Sequence, residues 1–382
     1  MFGTIAGIGS SRVSGPGAWY ATLEGSFVLD TLTRRLLTAV SLSHKVRRRR
    51  YHASAAKREV GARRAAFYLD VWREAAEAVG GSFTELDGQL VEVRAGDVVV
   101  RARRNLTSLD DPLTAAVAED KPLVYRLLAE RGIPVPRHVL VDAHDLAPAW
   151  AFVRSLGRPC VVKPARASGA IGVTTAVSTW FDLARAMAYG GAFDRQLLIE
   201  ELVDGGVYRL LYFDGELLDA VRREPPTVQG DGRATIEELI ARENERRLAA
   251  GIAACQSLVG VDQELRHTLR ARGLTLRSVP APGETVRLKN VVNDNRREDN
   301  VSVAETLGPD VVATGVAASA AVGARLTGVD VITPDPGLAL DRAGGVVIEV
   351  NTAPGHYYHY FKREGRVPVA TLILQRLVEA RP

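Results

Sequence analysis

Gly345–Gly355 (GVVIEVNTAPG) is the stretch on which the fold turns. Its apolar run predicts a buried strand, and in a strand residues two apart project from the same face, so Glu349 and Asn351 point together. A carboxylate and an amide oxygen on one face of an otherwise apolar strand make a hard-oxygen site suited to magnesium. Upstream, Gly328-Val329-Asp330-Val331 predicts a neighbouring strand whose inward-facing Asp330 adds a third oxygen ligand. With no equivalent basic partner in either strand, the three point to a divalent cation rather than to structural ion pairs.

Working outward, Val161-Val162-Lys163-Pro164 places a lysine at the mouth of an apolar strand, where an unpaired charge is costly and an anion satisfies it. The loop that follows, Ala165 to Val173, is built of small residues, so backbone N–H groups can approach phosphate oxygens closely. Leu197 to Val203 (LLIEELV) is an apolar strand running into two acids, which can accept from an adenine amino group or sit as two surface glutamates. No GxxxxGK[ST] occurs, which excludes a P-loop as the phosphate site. Gly7-x-Gly9 lacks the third glycine and the preceding strand of a dinucleotide fingerprint.

The rest of the chain sets the context. At 382 residues, with 46% hydrophobic and 25% charged residues, it is large enough for a core shared by two or three subdomains. Two cysteines, Cys160 and Cys255, suggest neither a disulfide framework nor a zinc site, so a reducing, cytoplasmic setting is expected, with Cys160 in the core. No apolar stretch predicts a membrane segment. The net charge is +4, but Lys45 to Arg50 (KVRRRR) with Lys57, Arg58, Arg63 and Arg64 concentrates positive charge. Without aromatic interleaving this reads as a solvated helical face rather than a nucleic-acid site.

Residues 1–110 predict a small packing region with a helix over about 63–79 and strands at 89–94 and 97–103. A single helix is expected over about 112–131. Strands and helices then alternate: strands near 138–141, 160–163, 172–177 and 196–201, helices ending near 156 and 189, and a hairpin of 208–213 with 216–222 turned at Asp214-Gly215. A strand over 284–289, a helix over 309–326, strands at 329–333 and 344–350, and a last helix complete the chain. The alternation implies mixed parallel and antiparallel pairing.

Taken together these elements resemble the ATP-grasp superfamily, and more specifically the ATP-grasp portion of cyanophycin synthetase and related amino-acid and peptide ligases. The likeness runs from about Asp120 to Ala370, through Asp120-Lys121, VVKP, LLIEELVDGGVYRLL, Arg223-x-Pro225, Gly230-Asp231-Gly232 with Thr235-Ile236-Glu237-Glu238-Leu239, Val279-Pro280 with Gly283-Glu284, GVDVI and IEVNTAPG.

The resemblance implies an α/β fold with two subdomains enclosing ATP over 111–382, a lid-like part at about 139–202, and a small N-terminal domain over 1–110. It implies an ADP-forming carboxylate–amine ligase working through an acyl phosphate. Lys121 and Lys163 would hold the nucleotide phosphates under a loop carrying Ser168, Gly169 and Gly172, with Glu200, Glu201 and Leu202 at the adenine. Asp330, Glu349 and Asn351 would hold one or two magnesium ions, or manganese in their place. Arg223, Arg209 and Lys289 would stabilise the acyl phosphate and the tetrahedral intermediate. The expected partners are a small carboxylate and an amine, and a homo-oligomer is allowed.

Two departures stand out. Val207 precedes Tyr208-Arg209 where related ligases carry a ribose-binding acid, leaving Asp204 as the substitute. Asn293 is followed by Asp294 to Asn300 (DNRREDN) in place of a Ser-Thr-Gly-Gly stretch, so this loop is expected to meet a different substrate, and the sequence holds no Mur-ligase-like half. His356 to His359 (HYYH) is placed to line an amine pocket or to pack. The alternatives are activation toward a non-amine acceptor and a nucleotide-binding regulator without turnover.

Overall fold

In a computed structural model, residue 38, residues 41–45, 54–253 and 257–380 are described. Gly7 and Gly9, Cys255 and the arginines at 47–50 lie outside them. Four hydrophobic clusters organise the described chain.

The first cluster joins the helix α1 (Ala55–Ala78) to a meander of β1 (Ser82–Asp87), β2 (Leu90–Ala95), β3 (Val98–Arg103) and β4 (Leu106–Thr107). Val91, Val93, Val98 and Val100 alternate onto its inner face, against Tyr68 and Trp72 of the helix and Ile373 of the helix at Val369–Glu379. The helix begins eight residues before the expected start, at a Ser54 cap whose hydroxyl accepts from Lys57 N.

The expected single helix over 112–131 is two helices, α2 (Pro112–Glu119) and α3 (Lys121–Ala129). Asp120 leaves helical geometry and caps the second, accepting from Leu123 N at 3.1 Å. Pro122 explains the break, since in a continuous helix it would remove a hydrogen bond and clash with the preceding turn. This break leaves Lys121 buried at the start of α3, turned toward the centre of the molecule.

β5 (His138–Asp142), β6 (Cys160–Pro164), β7 (Thr174–Val177) and β8 (Gln196–Glu201) form one sheet in the order β5-β8-β6-β7. Here the expectation of mixed pairing fails: every strand pair among the described residues is antiparallel. The helical crossover from β5 to β6 is present, but β8 inserts between them and runs against both. Leu197, Leu198 and Ile199 are fully buried in this central strand, each contributing roughly 1.5–3 kcal/mol of apolar burial.

The largest sheet has the order β13-β10-β9-β14-β15, with β9 (Gly206–Phe213), β10 (Glu216–Arg223), β13 (Asn300–Ser302), β14 (Leu326–Thr333) and β15 (Val346–Asn351). Its hairpin turns at Asp214 and Gly215, with φ of 49° and 80°, the two left-handed residues that a tight hairpin needs. Leu210, Tyr212, Val329, Val331, Val347 and Val350 face one way, under the helix Pro309–Val322. That helix stops short of the expected 326 because Gly323 takes φ of 77° and ends it. β11 (Thr227–Gln229) pairs with β12 (Thr285–Arg287) as a separate two-stranded sheet, and the helices Ile236–Ala250 and Gln263–Arg270 lie between these strands in the chain. Thr235 and Glu238 cap the first of these reciprocally.

Candidate active site

The polar face of the large sheet and the end of the β5–β8 sheet enclose a cavity of about 880 Å³. On the large sheet, directly opposed residues Arg209 and Asp330, then Asp330 and Glu349, then Gly328 and Asn351, lie across adjacent strands. Arg209, Asp330, Glu349 and Asn351 all line the cavity, as does Arg223 on β10. A bulge in β15 opposite the Asp330–Val331 step lets Val347 and Val350 both stay in the core while Glu349 and Asn351 face out of it.

The expectation that these oxygens lack basic partners is wrong. Asp330 receives Nε and one terminal nitrogen of the Arg209 guanidinium, the latter at 2.7 Å, and Glu349 lies 3.4 Å from Lys121 Nζ. Burial opposes the Arg209 charge and Asp330 more than offsets it, holding its pKa above the usual value. Gly328 makes this packing possible, because a Cβ there would sit 3.0 Å from Arg209 Cδ and from Pro354 Cβ.

On the opposite wall, Lys163 pairs with Glu200 and donates to Tyr125 Oη at 2.9 Å. The single Tyr125 hydroxyl proton lies within reach of two acceptors, Glu200 at 2.8 Å and Ile348 O at 3.0 Å, tying α3 to β8 and β15. Burial and then the Glu200 charge push the phenol pKa far up, so it stays a donor. Glu200 is therefore a partner of Lys163 rather than a strand-end acid waiting for adenine. Glu201 also lines the cavity, but its carboxylate accepts from Arg137 N at 3.0 Å, and the Leu202 amide donates to Pro159 O at 3.0 Å.

The small-residue loop closes the roof. Gly169 and Ala170 take φ of 66° and 54°, so an alanine is held in a left-handed conformation at a cost of roughly 1 kcal/mol. Lys121 Nζ donates to Ala167 O, joining this loop to Glu349 through one side chain. Gly169 lines the cavity, whereas Ser168 and Gly172 do not. Gly172 is needed for packing, since a Cβ would fall 2.7 Å from Pro164 and 2.9 Å from Phe193.

Lys289 is misplaced by the sequence analysis. It is buried behind the cavity wall, donating to Asp262 and Asp294 at 2.6 Å each. Burial opposes its charge, but the two carboxylates outweigh it and raise its pKa. The loop expected to meet substrate is likewise mostly internal: Asp294 holds Lys289, Asn295 donates to Asn300 at 2.8 Å, and Arg296 pairs with Asp299 at 3.0 Å. Only residues 290–293 of this segment reach the cavity, and Asn293 Nδ2 donates to Gly169 O at 3.0 Å. Of His356 to His359, Tyr358 alone lines the cavity, with the Arg223 guanidinium 4.0 Å above its ring. His359 is buried against Asp219, which also pairs with Lys362. Asp204 reaches the rim but pairs with Arg158 at 2.7 Å.

Among the described residues no group of three His, Cys, Asp or Glu is arranged to hold a metal. The oxygens present are two carboxylates and an amide whose nitrogen donates to Gly328 O at 3.3 Å, leaving its oxygen free. Magnesium is bound in such sites by one or two carboxylates plus substrate phosphates, and this donor set fits that description.

Comparison with known proteins bears on the fold. Residues 127–208 match the family model described as D-ala D-ala ligase C-terminus. Cyanophycin synthetase of Trichormus variabilis is 28% identical over 311 residues, covering 78% of this chain and 34% of that protein. The glutathione biosynthesis bifunctional protein GshAB of Enterococcus faecalis is 26% identical over 300 residues, covering 76% and 39%. The crystal structure of a bifunctional glutathione synthetase from Pasteurella multocida superposes with a TM-score of 0.50 at 23% identity, over 80% of this chain and 43% of that one. The chain has the ATP-grasp fold, and it spans little more than a third of the length of the curated relatives it matches.

Proposed function

We propose that this protein is an ATP-dependent, ADP-forming carboxylate–amine ligase that makes an amide or peptide bond between amino-acid or peptide substrates. The observation that carries the reading is that Lys121 and Lys163 line the same cavity as Asp330, Glu349 and Asn351. A polyphosphate fits between the lysines, and the oxygens opposite suit its counter-cation.

Lys163 and Lys121 would take the phosphate oxygens, each already held in place by a carboxylate, with the roof at Ala167 to Ala170 closing over them. Adenine would lie along the Glu201–Val203 turn. Asp330, Glu349 and Asn351 would hold magnesium, which when bound neutralises charge on the phosphates during transfer. A substrate carboxylate attacks the γ-phosphorus, ADP leaves, an amine attacks the acyl phosphate, and phosphate departs with the amide formed. Arg223 would steady the acyl phosphate and the tetrahedral oxyanion: one arm donates to Val292 O at 3.0 Å and its Nε has no partner among the described residues. Arg209, committed to Asp330, positions that carboxylate rather than touching substrate. We assign residues 111–382 to the ATP-grasp unit with a lid near 139–202, and 1–110 to a packing region.

The test is ADP release over paired amino acids, with mass spectrometry of the product. Wild type is expected to yield a condensed product, and Glu349→Ala to lower ADP formation by at least on the order of 10³-fold with the melting temperature little changed. Unchanged turnover in that variant would remove the metal assignment.

A further inference from the structure

Charge pairing around the cavity leaves a remainder. Lys163 pairs with Glu200, Arg209 with Asp330, Lys121 with Glu349 and Arg222 with Glu224. Arg223, Arg272 and Arg287 also line the cavity, and none has a carboxylate within ion-pair distance among the described residues. Arg223 is accounted for by Val292 O and the Tyr358 ring.

Arg272 and Arg287 are different. Both are exposed, one just past the helix Gln263–Arg270 and the other at the end of β12. One Arg272 arm donates to Thr268 O at 3.2 Å, as cations near helix C-termini do, which leaves its remaining donors unused. Partial burial, then the Arg287 charge, holds the Arg272 pKa below its usual value, and the buried Glu264, whose oxygens are taken by Thr175 and Asn290 N, offsets this only in part. Both arginines line the same cavity, and two like charges there repel each other unless an anion lies between them. The wall's acids cannot serve, because Glu201 is held by Arg137 N and Asp204 by Arg158. The nucleotide phosphates already have Lys121, Lys163 and a cation site.

We infer that Arg272 and Arg287 form a carboxylate-binding subsite, so that one substrate carries a free carboxylate other than the one activated. This rests on the ligase reading and narrows it to an acidic amino acid or peptide as the acid, or an unblocked amino acid as the amine. A planar guanidinium pair suits a carboxylate because each can offer two parallel N–H donors.

Full-length protein with magnesium and a non-hydrolysable ATP analogue would be titrated calorimetrically with L-aspartate and L-glutamate against asparagine and glutamine, and with glycine against glycinamide. At least one acid is expected to bind tenfold or more tighter than its amide; the first comparison assigns the carboxylate to the acid substrate, the second to the amine. Arg272→Ala/Arg287→Ala is expected to reduce that preference to within twofold, Arg272→Lys/Arg287→Lys to retain part of it, and both to bind the analogue within twofold of wild type. Equal binding of acid and amide by wild type, or a preference surviving in the alanine variant, overturns the subsite. A tenfold loss of analogue affinity with the preference intact gives the arginines to phosphate and overturns it equally. Parallel ADP release reports on the ligase reading by itself: carboxylate-selective binding without ADP keeps the subsite and removes the chemistry, while ADP release indifferent to the carboxylate does the reverse.

Discussion

Lys163 and Lys289 each follow a short stretch carrying apolar residues, Val161-Val162 and Val286 to Leu288, and both are buried. Lys163 has one carboxylate, Glu200, and a phenol for company, and the far side of its ammonium looks into the cavity. Lys289 has two carboxylates, at 2.6 Å each, and lies outside the cavity. The lesson is one of stoichiometry: a buried lysine matched by a single acid keeps capacity for a ligand, and one enclosed by two is spent on holding a loop.

Substitution sharpens the contrast. Lys289→Met strands Asp262 and Asp294 and is expected to cost about 3–5 kcal/mol, read as a shift in the denaturant midpoint. ADP release per folded molecule should stay close to wild type. Lys163→Met strands one acid, which Tyr125 still contacts, and should lose roughly half that stability while ADP release falls on the order of 10²-fold. If Lys289→Met were the more damaging to turnover per folded molecule, the distinction between the two lysines would collapse.

A smaller effect separates the cavity from the packing beneath it. His356 is fully buried with neither ring nitrogen partnered among the described residues, and burial, then His359, lowers its pKa to about 3. Between that value and the ordinary histidine pKa near 6.5 the unfolded chain binds the proton and the folded one does not. Stability therefore rises with pH across this window, by roughly 1 kcal/mol per pH unit, and is lost as pH falls. His356→Leu should flatten the pH dependence of the melting temperature between about pH 4 and 6, and an unaltered slope would assign the acid sensitivity elsewhere.

What the sequence disclosed followed from local rules. Period-two alternation put Glu349 and Asn351 on one face, and Asp214-Gly215 dictated its hairpin. What it hid depends on contacts between distant segments. Tyr125 sits in an ordinary-looking helix, and its meeting with Glu200 and Ile348, 75 and 223 residues away, leaves no periodic trace. The insertion of β8 between β5 and β6 is invisible because alternation of elements fixes their sequence but not their spatial order. The arginine partner of Asp330 was missed for the same reason: Arg209 and Asp330 are 121 residues apart and meet only through strand register.

Glu264 is buried behind the cavity wall and forms no ion pair among the described residues. It accepts from Thr175 N at 2.8 Å, from Thr175 Oγ1 at 2.7 Å and from Asn290 N at 3.1 Å, while burial pushes its pKa up. Thr175 follows the roof loop, and Asn290 precedes Asn293, which grips that loop again at Gly169 on the exposed side. The roof is thus pinned twice, once in the dry interior by three hydrogen bonds and once at the wet rim by one. Water competes only for the outer pin, which makes the Asn293 contact the weaker of the roof's two attachments.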